Sequence, residues 1–403
     1  MKLHRNIATG IFTGLEATLI EKRPAADVIK RLLKSNRGWG SRDRRTIAKA
    51  FYDIIRQKRF FQALSNGENN PLNLWSLIGV WATMNDFAVP QWEEFKNLSV
   101  KKIRTEAPIL IQERKYNYSL PDWLDQLGTN DLGPSLWEKE MCSLNNPADL
   151  IVRVNTLRTT VEKLKDILEK KYQIITRTIK GYDEALLFEK KYSLQDIKEY
   201  REGFFEVQDA NSQKVAPWLD PQAGNFYLDA CAGAGGKSLH LANLTKDTAK
   251  ILALDIHPAK LDELRKRCLR NGIESVQTAD VNDDDLIHSL KNTVDGVLID
   301  APCSGLGVLK RNPDTKWNID SDRLEEIIKT QEKILQNYAG CVKKGGTLVY
   351  ATCSIMPVEN EHQIARFLES DLGGSFEFEK EHTYYSHQTG FDGFYCARLI
   401  RKM

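Results

Sequence analysis

Two cysteine-containing stretches, APCSG at residues 301–305 and ATCS at residues 351–354, hold the side chains best suited to covalent chemistry. Cysteine is a strong nucleophile once it is deprotonated, and an electropositive site lowers its pKa. A lone cysteine near a strand end is most often a small buried hydrophobe. Cys303 and Cys353, however, each follow an apolar run and each precede a serine, which favours a nucleophilic site, with Lys237 as a candidate source of positive charge.

A glycine-rich turn, CAGAGGKS at residues 231–238, lies between an apolar run and a helical pattern. In an open α/β sheet, such a turn lets a ligand approach backbone N–H groups at the carboxyl ends of the strands. The ending GKS suggests a phosphate-binding P-loop, but Cys231 occupies the position of its first required glycine. The dinucleotide fingerprint also fails, because Ser238 replaces its third glycine. The ligand of this turn therefore need not be a nucleotide phosphate, and an ATPase is the weakest interpretation.

Three acids, Asp255, Asp280 and Asp300, end predicted strands, where ligands lie in this architecture. Asp255 follows the glycine turn by one helix and one strand, the position from which a carboxylate accepts hydrogen bonds from ribose hydroxyls. Asp280 is placed to bond an adenine amino group. Any one of these acids could equally cap a helix, but three of them behind a glycine turn indicate a ligand that contains a nucleoside.

The elements that must position these residues alternate between strand and helix from about residue 205 onward, which predicts a parallel, doubly wound sheet. Predicted strands cover residues 226–230, 251–255, 275–278, 296–300 and 347–352, and predicted helices cover 238–244, 258–271, 323–342 and 359–369. Gly345 and Gly346 are predicted to end the long helix. Apolar residues at helical spacing predict an all-α domain over residues 1–140, and a strand–helix–strand start predicts a small α+β unit over 141–205, ahead of a catalytic domain at 206–403.

Composition narrows the class of protein further. The chain of 403 residues has a net charge of only +2, yet residues 30–59 contain eleven Lys/Arg and two acids, a density that suits a nucleic-acid backbone or a solvated helix face. No apolar run is long enough to span a bilayer, and the N-terminus does not resemble a signal peptide, so we expect a cytoplasmic protein. Seven scattered cysteines without zinc spacing predict reduced thiols and no metal site. We interpret Cys142, Cys268, Cys341 and Cys396 as structural.

Four segments resemble, in order and spacing, the motifs of the Sun/Fmu (RsmB-like) family of RNA cytosine-C5 methyltransferases. They are DACAGAGGKS, LDIHPAKL, DAPCSGLGVLKRNPDTKW and LVYATCSIMPVENE. SLPDWL, LNNPADLIVRVNTLR, EVQDANSQ and the final DGFYCARL are similar to further family segments, so the resemblance covers about residue 119 to the end. More weakly, SRDRRTIAKAFYDIIRQKRFF resembles the NusB-like helical RNA-binding domain of RsmB-type members.

The resemblance implies a Rossmann-like class I methyltransferase domain that binds S-adenosylmethionine (SAM), preceded by a small α+β RNA-binding unit and a NusB-like domain. Its implied cofactor loop comprises Cys231, Ala232, Gly233, Ala234, Gly235, Gly236 and Lys237. Asp255 would bind the ribose, Asp280 would lie by the adenine, and Asp300 would lie between the cofactor and the base. Cys353 would attack carbon 6 of cytosine, and Cys303 would assist proton removal and product release.

The implied substrate is RNA, with ribosomal RNA ahead of transfer RNA, and three alternatives make different predictions. A DNA cytosine methyltransferase uses the cysteine of a Pro-Cys dipeptide, here Cys303, as its nucleophile. The ATCS stretch and the upstream RNA-family segments argue against that class. A non-catalytic RNA-binding or assembly factor would keep the fold without binding SAM, and an ATPase would be stabilised by ATP instead.

Overall fold

The chain divides into two units in the computed structural model, which describes residues 2–65, 67–281 and 284–403. The first unit runs up to Asn146 and takes in Val308–Arg323, and the second comprises Pro147–Gly307 and Leu324–Met403. The sequence-based boundary at residues 140/141 did not include the later segment in the helical unit. Within the described part of the chain, no helix combines the length and the apolar character that crossing a bilayer requires.

The first unit is helical, as the apolar spacing predicted. Its first nine α-helices are α1 (Arg5–Leu15), α2 (Ala25–Ser35), α3 (Ser41–Arg56), α4 (Lys58–Ser65), α5 (Leu74–Met84), α6 (Val100–Leu110), α7 (Arg114–Asn117), α8 (Asp122–Leu132) and α9 (Pro134–Leu144). Helices α1, α3 and α5 bury Ile11, Phe51, Ile54 and Leu77 completely in one apolar cluster. Their residues recur every three or four positions, so each helix presents one apolar stripe to this cluster.

The second unit begins with a small antiparallel sheet of order β2-β3-β1-β4. Its elements are β1 (Leu150–Val154), α10 (Val161–Tyr172), β2 (Thr176–Ile179), β3 (Tyr182–Phe188), α11 (Lys198–Arg201), β4 (Phe205–Val207) and α12 (Ala210–Gln213). Leu164 and Leu168 of α10 are buried in the same cluster as Val152 and Val154 of β1. The predicted strand–helix–strand start is therefore present.

A mixed sheet of seven strands follows, in the order β10-β11-β9-β8-β5-β6-β7. Its strands are β5 (Phe226–Asp229), β6 (Lys250–Asp255), β7 (Val276–Asp280), β8 (Val294–Asp300), β9 (Val342–Thr352), β10 (Phe376–Tyr384) and β11 (Phe394–Arg401). The helices after β5 are α13 (Gly236–Leu244), α14 (Pro258–Asn271), α15 (Asp284–Ser289), α16 (Thr315–Asn318), α17 (Ser321–Ala339), α18 (Glu361–Glu369) and α19 (Ser386–Thr389). Five neighbouring strands are parallel, as predicted. Strand β11, outside the predicted strand ranges, pairs antiparallel with β9 and with β10.

The prediction that Gly345 and Gly346 end the long helix α17 was wrong. Helix α17 ends at Ala339, and both glycines lie inside β9. Gly345 has φ +74°, and a Cβ on Gly346 would lie 2.7 Å from the carbonyl oxygen of Asp295 on the neighbouring strand. The ladder between β8 and β9 shifts register near this point. The glycines therefore permit an irregularity within a strand, a role that glycine shares with helix termination.

Buried polar groups hold the segment Val308–Arg323 in the helical unit. The guanidinium of Arg56 donates to the carbonyl oxygens of Leu309 (3.1 Å) and Lys310 (3.0 Å). The ammonium of Lys316, on α16, is buried and donates to the carbonyl oxygens of Arg56 (2.9 Å) and Tyr118 (3.1 Å). Burial lowers the pKa of Arg56 to about 10. These bonds tie the segment to α3 and to the residue that follows α7, so the segment completes the unit.

Replacing Arg56 with Met should lower the free energy of unfolding of the helical unit by about 2 kcal/mol or more, because the two carbonyl oxygens lose their donor. Arg45→Met, at an exposed position on the same helix, should change it by no more than about 0.5 kcal/mol. Urea unfolding followed by tryptophan fluorescence measures this, since every tryptophan except Trp218 belongs to this unit. Equal stability of the two variants would show that Arg56 does not hold the segment.

Candidate active site

The glycine turn follows β5 and opens into α13, and its backbone requires glycine at two positions. Gly233 has φ +56° and Gly235 has φ +84°. A Cβ on Gly235 would lie 2.0 Å from Cδ1 of Leu264, so this glycine permits close packing against α14. A Cβ on Gly233 would meet no described heavy atom within 4 Å, and the same holds for Gly236. The turn therefore leaves open space beside its backbone, as a ligand-binding loop requires.

Side chains outside the turn hold it in place. The N–H of Gly233 donates to Oδ2 of Asp255 (2.9 Å). Nη1 of Arg267 donates to the carbonyl oxygen of Ala234 (2.6 Å), and Nη1 of Arg153 donates to that of Gly236 (2.8 Å). The sequence analysis missed both arginines, because nothing in the local pattern shows that residues far along the chain reach the turn. The remaining residues of the turn, Cys231, Ala232 and Lys237, follow β5 directly or begin α13.

The three predicted acids lie at the carboxyl ends of neighbouring parallel strands. Asp255 and Asp280 are register partners on β6 and β7, and Asp300 ends β8 on the other side of β5. The Asp255 carboxylate is almost fully buried and also accepts from the N–H of His257 (2.8 Å), whereas Asp280 is exposed. The structure thus brings Asp255 and Asp280 together, while Asp300 lies beside Lys237.

Lys237 and Asp300 form a close ion pair at the start of α13, with Nζ and Oδ2 2.5 Å apart. The lysine side chain is almost entirely buried, whereas the Asp300 side chain is 29% exposed. Burial alone would lower the pKa of Lys237, but the adjacent Asp300 carboxylate raises it above its ordinary value. The lysine therefore stays charged, but the paired Asp300 carboxylate offsets its charge, so a positive field at the cysteines stays a prediction.

Asp229, which the sequence analysis did not single out, is fully buried at the end of β5. Its Oδ2 accepts a hydrogen bond from the hydroxyl of Ser238 (2.6 Å). Burial raises the pKa of this carboxyl to about 7, with a smaller contribution from Asp300. Its position at the start of the DACAGAGGKS segment gave no sign that the fold buries it. In the fold it is a titratable group directly beneath the turn.

Cys303 and Cys353 lie side by side, with their sulfur atoms 3.2 Å apart, and both are free thiols. The hydrogen bond to Cys353, together with burial, raises the pKa of the Cys303 thiol well above its ordinary value. The N–H of Gly307 donates to the carbonyl oxygen of Cys353 (3.0 Å) and fixes the backbone of the second loop. Cys303 is therefore a thiol that can donate to a thiolate on its neighbour.

The other cysteines take no part in this arrangement. Cys268, Cys341 and Cys396 are buried, in agreement with a structural role, whereas Cys142 is exposed, which a packing role does not explain. Burial raises the pKa of Cys231, so it stays a thiol within the turn. Among the described residues, no group of three His, Cys, Asp or Glu side chains is arranged to hold a metal ion.

The basic stretch at residues 30–59 divides into exposed and internal side chains. Seven are exposed: Lys30, Arg31, Lys34, Arg37, Arg42, Arg45 and Lys49. Arg44 instead donates to the carbonyl oxygens of Trp39 (2.9 Å) and Asn36 (3.1 Å), and Lys58 lies over the Trp317 ring with its pKa lowered by burial to about 8. The seven exposed side chains fit either alternative left open for this stretch, a nucleic-acid surface or a solvated helix face, whereas neither alternative foresaw the internal contacts.

The strand order, the glycine turn after the first parallel strand and the acid ending the next strand together define a Rossmann-like domain of the class I methyltransferases. The sequence model of the family described as 16S rRNA methyltransferase RsmB/F matches residues 216–400. The chain belongs to this family, which confirms the resemblance to the Sun/Fmu proteins.

Two curated relatives illustrate the extent of the similarity. A probable ribosomal RNA small subunit methyltransferase B of Synechocystis sp. is 36% identical over 275 residues, 67% of this chain and 60% of that protein. The ribosomal RNA small subunit methyltransferase B of Proteus mirabilis is 30% identical over 316 residues, 78% of this chain and 74% of that protein. The aligned part of this chain thus spans less than two thirds of the Synechocystis protein.

A solved structure described as the crystal structure of PH0851 has the same fold over nearly the whole chain. Its TM-score is 0.81 at 24% identity, and the superposition covers 99% of this chain and all of that one. The shared architecture therefore includes the helical residues ahead of the family match as well as the two sheets.

Asp229 should make stability depend on pH in a defined direction. The pKa of Asp229 is about 7 in the folded protein and near 4 in the unfolded chain. Its contribution to the free energy of unfolding is therefore complete below about pH 4 and is lost as the pH rises to about 7. Asp229→Asn should therefore reduce the fall in the urea midpoint between pH 5 and pH 8. Ser238→Ala, which removes the hydroxyl but keeps the acid, should retain that fall. An unchanged fall in Asp229→Asn would contradict the raised pKa.

Proposed function

We propose that this protein transfers a methyl group from SAM to carbon 5 of a cytosine in RNA, with Cys353 as the nucleophile. The observation that carries this proposal is the pair of free thiols 3.2 Å apart, Cys303 and Cys353. Both loops follow strands that neighbour one another in the sheet, β8 and β9, and the Lys237–Asp300 ion pair begins at the end of β8. Membership of the RsmB/F family supports methyl transfer to RNA as the reaction class.

The described residues fit a SAM site. The turn with open space beside Gly233 and Gly236 would hold the amino-acid part of the cofactor, as the sequence analysis expected for residues 231–237. Asp255 would accept from the ribose hydroxyls, and Asp280, at the end of the next strand, would lie by the adenine. When bound, SAM supplies the electrophilic methyl group that becomes bonded to carbon 5.

The residues of the chain perform the remaining chemistry on the base. The Cys353 thiolate forms a bond to carbon 6, which breaks the ring's aromaticity and gives carbon 5 the electron density it otherwise lacks. Asp300, held beside the Lys237 ammonium, would bond the base edge near N3 and stabilise the charge that builds up there. After methylation, loss of the carbon-5 proton to a base such as water restores the double bond and breaks the S–C6 bond.

The surroundings of Cys303 suggest how the two cysteines divide their roles. Because its neighbour and burial raise the pKa of Cys303, this residue remains a thiol, and the contact of 3.2 Å between the sulfurs allows it to donate to Cys353. This donor stabilises Cys353 both as the attacking thiolate and as the leaving group. The geometry therefore supports the predicted part of Cys303 in product release more directly than its part in proton removal.

The substrate is proposed to be ribosomal RNA, because the relatives matched over most of this chain are named for the small ribosomal subunit. The exposed basic side chains of α2 and α3 supply a surface for the RNA backbone, and the small β1–β4 sheet is a second candidate contact. A cytosine must leave any base stack to reach a thiol inside the domain, so the target lies in a loop or is flipped out.

Cys303→Ala should trap the covalent adduct, because the departing sulfur loses its donor while the nucleophile remains. Turnover should fall by about 100-fold or more, and a slow-migrating protein–RNA species should appear on a denaturing gel after incubation with cellular RNA and SAM. Sequencing the trapped RNA identifies the target and distinguishes ribosomal from transfer RNA. The double variant Cys303→Ala/Cys353→Ala should give no adduct, and Cys142→Ala should behave as the unmodified protein.

An adduct in Cys353→Ala that is absent in Cys303→Ala would exchange the roles of the two cysteines, as in the DNA enzymes. Measured SAM binding without an adduct in any variant would contradict the covalent mechanism, and absence of SAM binding would favour the non-catalytic alternative.

Neutralising two side chains of the basic surface should weaken RNA binding uniformly across sequences. Arg31→Gln/Lys34→Gln, both exposed on α2, should reduce the slope of log K against log salt by about 1.4 to 1.8 in magnitude if each contacts one phosphate. Lys329→Gln/Lys333→Gln, an exposed pair on α17 of equal charge, is the control and should leave the slope unchanged. Filter binding across a salt series measures it, and equal slopes for the two variants would exclude this surface.

A further inference from the structure

We propose that Glu359 is a positioning residue that clamps the two cysteine loops together and thereby sets the spacing of their sulfur atoms. The proposal deepens the proposed function, on which it rests, because it explains how the nucleophile and its donor are kept within reach of one another. It also explains why each cysteine is followed by a serine, a pattern that the thiol chemistry alone does not require.

The clamp is a single buried carboxylate with a contact to each loop. Oε2 of Glu359 accepts from the hydroxyl of Ser304 and from the hydroxyl of Ser354, each at 2.5 Å. Oε1 accepts from the N–H of Ser304 (2.8 Å) and from Nε2 of Gln331 (3.0 Å). Ser304 directly follows Cys303, and Ser354 directly follows Cys353, so one side chain joins the residues next to both sulfurs.

The site is closed to water, which makes these bonds strong determinants of geometry. Glu359, Ser354 and Gln331 are 0% exposed, and Ser304 is 7% exposed. All four groups bonded to the carboxylate are donors, and the two oxygens of a carboxylate can accept from four donors at once. In a buried setting, leaving any of these donors unpaired is costly, so the loops are held to one arrangement.

The rest of the fold fixes the backbone of Glu359 and the Gln331 side chain that contacts its carboxylate. The hydroxyl of Tyr350, on β9, donates to the carbonyl oxygen of Glu359 (2.8 Å), and Nε2 of Gln331 also donates to the carbonyl oxygen of Pro302 (3.0 Å). Tyr350 therefore anchors Glu359 to the sheet. Gln331 of α17 contacts both Glu359 and the first cysteine loop. Within the described residues no hydrogen bond joins the carboxylate to either sulfur, so it acts through the position of the loops, with a small contribution to the raised pKa of Cys303.

The spacing of the sulfurs can be measured without RNA or SAM. Diamide oxidises two adjacent thiols to a disulfide and is itself reduced to the hydrazine, and the S–S bond of about 2.0 Å requires the sulfurs to approach by only about 1 Å. Ser304→Ala/Ser354→Ala, which removes both hydroxyl contacts, should form the Cys303–Cys353 disulfide about tenfold more slowly, as scored by mass spectrometry. Ser370→Ala is the control. It removes the hydrogen bond from a partly buried serine hydroxyl, just after α18, to the carbonyl oxygen of Phe367, and it should react at the unmodified rate.

Two further variants keep the test decisive. Glu359→Gln keeps an oxygen that can accept from the Ser304 N–H and from Gln331, and its amide N–H groups can donate to both serine oxygens, so crosslinking should stay within about twofold of the unmodified rate. Should the double serine variant fail to show native circular dichroism, Ser354→Ala alone is used, with a smaller loss expected. Crosslinking of the folded serine variants at the unmodified rate would overturn the clamp.

The rate of adduct formation separates the positioning role of Glu359 from the proposed methyltransferase function. In the Cys303→Ala background, adding Ser354→Ala should lower the rate of adduct formation by about 10- to 100-fold while SAM affinity by calorimetry stays unchanged. Adduct formation at an equal rate would contradict the positioning role. If Cys303→Ala with intact serines forms no adduct, the covalent function fails, and the diamide rates alone decide whether the clamp exists.

Discussion

The parallel register of five strands is the constraint on which the site depends. Because β5, β6, β7, β8 and β9 run in one direction, the residues that follow them meet at one edge of the sheet. The glycine turn, the acids and both cysteine loops are separated by up to about 120 residues along the chain, yet each begins where a strand ends. A residue shift in any one ladder would also turn its buried side chains to the opposite face, so the apolar core of the sheet enforces the alignment.

At that edge of the sheet, several ionisable side chains are buried away from solvent. Lys237 is buried against Asp300, Asp229 lies fully buried under the turn, and Glu359 is fully buried beneath the cysteine loops. Low local polarity strengthens each interaction. It accompanies a charged Lys237, an Asp229 carboxyl with a pKa of about 7 and a Cys303 that remains a thiol. The fold holds these groups in fixed positions around the site, which is what electrostatic stabilisation of a reaction requires.

Much of this could be predicted from the sequence, and the failures have physical causes. The strands, the glycine turn, Asp255, Asp300 and the cysteine pair follow from local patterns, since apolar runs and turn residues act over a few positions. The glycine pair inside β9 was misjudged because glycine ends helices and also relieves close strand approaches. Arg153, Arg267 and Glu359 were missed because their partners are distant in the chain, and only the folded register shows that they meet. The basic stretch could not be divided into exposed and internal residues until its helices had neighbours.

Because residues 308–323 belong to the helical unit, this unit cannot finish folding early during synthesis of the chain. Helices α1 to α9 leave the ribosome before residues 308–323 have been synthesised. At that stage Arg56 and Tyr118 have not yet formed their hydrogen bonds to Leu309 and Lys316. The helical unit can reach its final form only after most of the chain has emerged. Its maturation is therefore tied to the synthesis of the cysteine loop just upstream of the segment, and a chain interrupted before that point would carry an unfinished helical unit.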